Sequence, residues 1–171
     1  MTVSGNMIRQ KYIEYFSSHG NLPHKHVSHA PLVPPDDPSV MFTVAGMVQF
    51  KSLYTGMVDP LPYSRATTCQ PCLRAGGKGS DLENVGKTLR HHTLFEMLGN
   101  FSFGDYFKQD TILMAWDFIS NVVGLPKERL FPTIFEDDDE ADEIWRSETD
   151  IVNPPIRLGA SENFWGPAGD T

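Results

Sequence analysis

Residues 63–107 read YSRATTCQPCLRAGGKGSDLENVGKTLRHHTLFEMLGNFSFGDYF. Two segments in this stretch are predicted strands, Tyr63 to Cys69 and Thr93 to Leu98. Between them runs a long loop, 70–88, that is basic and holds Gly76, Gly77, Gly79 and Gly86. Glycine lets a backbone come close to a ligand. Arg74 stands where the first strand ends, and a guanidinium there can clamp a phosphate in bidentate fashion. Lys78 and Arg90 can neutralise further anionic charge. In the second strand Phe95 and Met97 alternate with Leu94, Glu96 and Leu98, so its two faces differ, and one suits the floor of a purine pocket. The bland alternative is a solvated arginine in a loop and aromatic residues in a core.

Outward from this stretch, Ile8, Tyr12, Tyr15 and Phe16 recur at helical spacing, which predicts a helix over 7–18 with Gly20 as its stop. Residues 21–39 are rich in Pro, His, Ser and Asp and read as connecting chain. His24, His26 and His29 lie in it and His19 just before it, and the group reads as exposed loop rather than metal ligands. Val40–Val44 reads as a short strand, and Ala45–Tyr54 as a helix followed by Gly56. A Pro-containing turn follows over 57–62, and a short helix is expected at Asp81–Val85. Ile112, Ala115, Trp116, Ile119 and Val123 form one helical face before Gly124. Leu130–Phe135 reads as an edge strand because of Pro132. Asp137 with Glu140 reads as a capping box opening a helix through Trp145. The remainder is Pro- and Gly-rich, without a predicted element.

The chain has 171 residues, 40% hydrophobic and 21% charged, with eleven Phe, five Tyr and three Trp. That is globular composition with aromatic residues enough for a core. A net charge of -8 argues against general nucleic-acid affinity, leaving the Arg65–Arg90 stretch as the candidate anion surface. No stretch approaches the roughly 20 apolar residues of a membrane span, and a soluble cytoplasmic chain is expected. The two cysteines, Cys69 and Cys72, have the C-x2-C spacing of half a zinc site or a redox pair. No second pair completes it, though His91 and His92 offer nitrogen ligands. Two thiols of a strand-edge segment is the simpler reading. The Rossmann fingerprint and the GxxxxGK[ST] loop are absent. The fold class is α+β, with an antiparallel sheet flanked by helices.

Several segments carry a resemblance. SRATTCQPCLRAGGK (64–78), DLENVGKTLRHHTLFEMLGNFSFGDYF (81–107) and SENFW (161–165) are very similar to alanyl-tRNA synthetases. So are IRQKYIEYF (8–16), LVPPDDPSVMFTVAGMVQFK (32–51) and LPKERLFPTIFEDDDEADEIW (125–145). The likeness is collinear and runs nearly end to end. It implies a class II synthetase catalytic core, with motif 1 at about 7–50 and motif 2 at 63–98. It implies ATP with Mg2+, L-alanine and tRNA(Ala) as substrates and partners. Arg74 then matches the motif 2 arginine that holds the ATP α-phosphate. Met97, or its neighbour Phe95, matches the residue that packs on adenine. Lys78 matches a loop residue near the phosphates or the acceptor end, and Trp165 matches a tryptophan lining the alanine and adenylate pocket.

The sequence departs from the family pattern at Val44, where Asn is usual in TNAGM, at Cys69, where Ser is usual, and at Gly79–Ser80, where His-Asn follows GGK. The resemblance also implies an incomplete core. The family's alanine-ammonium ligand, its motif 3 arginine and its zinc site all lie beyond this stretch, so no metal-ligating residue is expected within it. The expectation is an N-terminal fragment of an alanine–tRNA ligase, inactive or nearly so alone in ATP–pyrophosphate exchange. The rival is a free-standing non-catalytic paralogue serving as a nucleotide- or tRNA-binding or regulatory module.

Overall fold

The structure is a computed structural model and describes residues 4–35, 37–76 and 80–163. The chain divides into two compact units, Met1–Asp105 and Tyr106–Thr171. The α+β expectation holds: helices and strands are mixed in both.

The first unit is organised by a long hairpin. Its strands are β2 (Arg65–Leu73) and β3 (Leu94–Ser102), preceded in the sheet by a two-residue β1 (Lys25–His26). The order is β1-β2-β3, with β2 and β3 antiparallel in nine-residue register from Arg65↔Ser102 to Leu73↔Leu94. β1 pairs parallel to β2, so the sheet is mixed rather than purely antiparallel. Both hairpin strands outrun the sequence expectation. Pro71 marks a strand end only where its missing N–H is needed. Here Leu73 N–H donates to the Thr43 carbonyl at 2.9 Å, on the side away from β3. The two-residue alternation puts the Pro71 nitrogen on that same side, where β1, paired only to Ala66 and Thr67, does not reach. β3 likewise runs through Gly99.

Alternation gives the hairpin two different faces. Glu96 and Asn100 share one with helix α1 (Gly5–Ser18), through Arg9 Nε to Glu96 Oε2 at 2.6 Å and Tyr12 O–H to Asn100 Oδ1 at 3.0 Å. Ser4 caps α1, its hydroxyl accepting from Met7 N–H. Gly20 sits at φ 42 just past the end, the left-handed conformation that a helix stop requires. Tyr12 and Phe16 are buried, as their spacing predicts. The expected loop after α1 needs correction at His24. It is buried edge-on against Phe16, its Nδ1 3.2 Å from the Phe16 carbonyl, because β1 brings this segment onto the sheet. Burial pushes its pKa below the usual range.

The other face carries the core: Phe50, Ala66 and Phe103 are buried, with Val27, Leu53, Tyr63 and Phe101 packed around them. Val40–Val44 is not a strand. Thr43 makes single bonds in two directions, N–H to the Leu32 carbonyl and its own carbonyl to Leu73 N–H, so no ladder forms. The expected helix over 45–54 is a 3-10 turn, Val48–Phe50, followed by the short α2 (Lys51–Tyr54). Residues 82–84 form a turn instead of the expected helix, with Val85 bridged to Thr88.

Gln70 ties this face together. Its side chain is fully buried, accepting from Ala30 N–H (2.8 Å) and Gln49 Nε2 (3.0 Å) and donating to the Ala30 (3.0 Å) and Pro71 (2.7 Å) carbonyls. A buried polar group without its partner costs about 1–3 kcal/mol. Gln70→Leu strands both Ala30 groups and is expected to lower stability by about 2–4 kcal/mol. Urea unfolding checks this through a lower midpoint at an unchanged slope.

The second unit holds α3 (Lys108–Asp117), which continues into a π-helical turn over Phe118–Val122, then β4 (Thr133–Phe135), α4 (Asp139–Glu148), β5 (Ile156–Leu158) and α5 (Ala160–Asn163). The turn shifts the helical face from the expected one: Phe118 and Ser120 are buried, while Ile119 is exposed. β4 pairs parallel with β5, an element not expected from sequence, and starts only after Pro132. Ile112, Ile134, Ala141 and Ile144 form the core with Trp145, which meets Trp116 edge to face at 5.8 Å. The cap of α4 is Asp138, one residue later than expected, accepting from Ala141 N–H at 3.0 Å. Its acidic first turn suits the helix dipole and is paired by Lys108 and Arg157. No helix among the described residues is long and apolar enough to cross a membrane.

Candidate functional site: the arginine end of the hairpin

Along its core-bearing face the hairpin changes character. At one end are Ala66, Phe101 and Phe103; in the middle, Thr68 and Gln70 beside Gly99 and Met97; at the far end, Cys72 opposite Phe95. Arg74 follows at once, its N–H donating to the Thr93 carbonyl at 2.8 Å and so adding one rung to the ladder. The backbone of Arg74 is therefore as fixed as the hairpin.

Its side chain is held on three sides. Nε donates to the Val44 carbonyl at 3.1 Å. Nη1 pairs with Asp81 Oδ2 at 3.3 Å, and both side chains are only about one-fifth exposed, 19% and 21%. The guanidinium carbon lies 5.3 Å from the centroid of the Phe95 ring, a cation–π contact. Asp81 N–H in turn donates to the Arg74 carbonyl at 3.1 Å, closing a reciprocal clasp across the Gly-rich loop. Among the described residues no partner occupies Nη2. The result is a preset cation whose Nη2 donors, unoccupied by any described residue, can serve a phosphate or carboxylate oxygen.

The predicted residues Arg74 and Phe95 are thus brought into contact. Met97 shares the Phe95 face of β3, two residues along, beside Gly46. Lys78 and Trp165 lie outside the described residues. Arg90 is exposed on the turn at 88–91, its N–H bonded to Thr88 Oγ1. Asp81 and the Val44 carbonyl were not singled out by sequence. An acidic side chain in a basic Gly-rich loop is a visible signal for Asp81, whereas a carbonyl leaves none. Residue 44 acts here through its backbone, so Val in place of Asn keeps the acceptor that Arg74 uses.

The C-x2-C pair is not a chelating unit. Residues three apart in a strand point to opposite faces, and Cys72 is wholly buried while Cys69 is partly exposed. Among the described residues no group of three or more His, Cys, Asp or Glu is placed to hold a metal. Burial pushes the Cys72 thiol up to about 11, with Arg74 opposing only in part. Its folded value exceeds the unfolded one, so its contribution to stability is complete below about pH 9 and declines as pH rises toward 11. A disulfide-exchange reagent at pH 8 is expected to label Cys69 and leave Cys72 unlabelled until the protein is unfolded.

The chain matches the class II (A) tRNA synthetase family over residues 7–171 and belongs to that family. Its similar proteins narrow the reading. It is 55% identical to alanine–tRNA ligase of Nitratidesulfovibrio vulgaris over 99% of this chain and 19% of that protein. It is 54% identical to the same enzyme of Oleidesulfovibrio alaskensis, over 99% and 19%, and 52% identical to that of Coxiella burnetii, over 98% and 20%. The chain therefore spans about one-fifth of the length of the curated relatives it matches.

Proposed function

We propose that this chain forms the ATP- and adenylate-binding part of an alanine–tRNA ligase, which joins alanine to AMP and passes it to tRNA(Ala). The observation that carries the reading is Arg74, preset by Val44, Asp81 and Phe95 with its Nη2 donors unoccupied by any described residue. In the reaction the alanine carboxylate attacks the α-phosphorus of ATP and pyrophosphate leaves. A carboxylate is already a nucleophile, so no general base is required. Negative charge grows on the non-bridging oxygens, and a fixed cation favours that state over the ground state. Mg2+ arrives with ATP as part of the substrate and carries charge on the departing phosphates.

Phe95 and Met97 then divide the work. The ring of Phe95 supports the guanidinium, and Met97, on the same face beside Gly46, is the apolar floor for the purine. Lys78 and Trp165, which lie outside the described residues, keep only the roles that the family resemblance implies. Asp81 holds Arg74 until a ligand phosphate shares it.

The test is a chimaera in which these residues replace the matching segment of the Nitratidesulfovibrio vulgaris enzyme. Pyrophosphate exchange into ATP is expected with alanine and to be much weaker with glycine or serine. Exchange driven by another amino acid would contradict the proposal. A folded chimaera that binds ATP without any exchange would favour a non-catalytic binding module.

A further inference from the structure

We propose that Asp81 is a fixed counter-charge to Arg74 that keeps phosphate affinity low at this site; the identity of the ligand rests on the reading given above. The backbone holds the carboxylate in place. Asp81 N–H donates to the Arg74 carbonyl at 3.1 Å. The Asp81 carbonyl accepts from Asn84 N–H at 2.9 Å and from Val85 N–H at 3.1 Å. Residue 81 is thus tied on one side to the end of the hairpin and on the other to the turn over 82–84. Its side chain cannot travel far from Arg74 without breaking these bonds.

The ion pair itself is loose. Asp81 Oδ2 lies 3.3 Å from Arg74 Nη1, against about 2.7–2.9 Å for a strong charge-assisted bond. Both side chains are only about one-fifth exposed, so solvent screens their charges less than at an open surface. A phosphate on Nη2 uses donors that Asp81 does not, and it therefore binds beside the carboxylate instead of replacing it. The incoming phosphate meets a guanidinium whose charge is already partly offset, with a second anion on the neighbouring nitrogen. Repulsion between the two anions weakens the complex. Removing the Asp81 charge therefore strengthens phosphate binding, the opposite of what losing a structural contact would do.

The test titrates Mg·ATP into the 171-residue chain and its Asp81→Asn variant, following the Arg74 Nε–Hε signal by 15N NMR, assigned by its loss in Arg74→Lys. Asn keeps both backbone bonds and the side-chain shape and removes only the charge. The dissociation constant is expected to fall at least threefold at low salt, and the gain to shrink by at least half at high salt, where charges are screened. Adenosine, which carries no phosphate, is expected to gain less than twofold, read at the Met97 methyl. Unchanged or weaker Mg·ATP binding in Asp81→Asn overturns the proposal, and so does an equal gain for adenosine. If Asp81→Asn does not fold, Asp81→Ser decides by the same criteria. In the chimaera Asp81→Asn is expected to lower the KM for ATP at least threefold, and an unchanged or higher KM counts against the proposal. If ATP moves neither Arg74 nor Met97 in the wild-type chain, the functional reading fails, and inorganic pyrophosphate then judges the counter-charge through the Arg74 signal alone. Tighter pyrophosphate binding by Asp81→Asn upholds it, and equal, weaker or undetectable binding overturns it.

Discussion

Replacing Arg74 with alanine is expected to lower kcat for alanine-dependent pyrophosphate exchange in the chimaera by about 10²–10³-fold, the usual cost of removing one preset donor from a developing oxyanion. The loss belongs in kcat more than in KM, because charge on the α-phosphate oxygens grows only as the carboxylate bonds to phosphorus. Folding is expected to suffer little. The residue makes one partly exposed ion pair, one hydrogen bond to the Val44 carbonyl and one cation–π contact, each worth about 1 kcal/mol in such a setting. Arg74→Lys retains charge but has neither the planar fork nor the reach to hold Val44 and a phosphate together, so it recovers only a small part of the rate. Near-normal exchange in Arg74→Ala, with the melting temperature unchanged, would remove the arginine from the chemistry.

The second large effect concerns folding. Phe50 is 1% exposed and meets Phe101 at 4.7 Å and Phe103 at 5.6 Å between ring centroids. Phe50→Ala removes the ring and leaves a cavity among residues fixed by the hairpin, a change that costs about 3–5 kcal/mol. Against a total of about 5–15 kcal/mol for a domain, that is a large share. The far-UV melting midpoint is expected to fall by more than about 10 °C. A fall of a degree or two would show that the cluster can collapse around the gap.

These two residues illustrate what the sequence makes legible. The hairpin was readable because its strands are rich in Thr, Phe and Leu and are separated by a glycine-dense loop. Arg74 was readable because it stands where the first strand meets that loop. The strand lengths were not, since Pro71 and Gly99 are strand-breakers in isolation. Pro71 is tolerated because its nitrogen faces a side with no paired strand, and Gly99 because a ring from two residues on covers it. The partners of Arg74 were harder still. Asp81 acts across a loop whose closure no local pattern encodes, and Val44 acts by its carbonyl, which every residue has. His24 was read as exposed because a polar, Pro-rich neighbourhood looks like loop, yet it is buried where the short β1 pairs with β2. The C-x2-C spacing was ambiguous only until the segment was known to be a strand, which sends the two thiols apart.

Arg74 and the Phe95–Met97 face of β3 are proposed to receive the phosphate and the purine of one nucleotide. Titrating the 171-residue chain with millimolar Mg·ATP, with Arg74 labelled at 15Nε and methionines at 13C-methyl, tests this most directly. The Arg74 Nε–Hε and Met97 methyl signals are expected to shift together along one binding curve, and Arg74→Ala to abolish the Met97 shift or weaken it at least tenfold. ATP binding that moves other methionines while leaving Arg74 and Met97 unchanged would contradict the account.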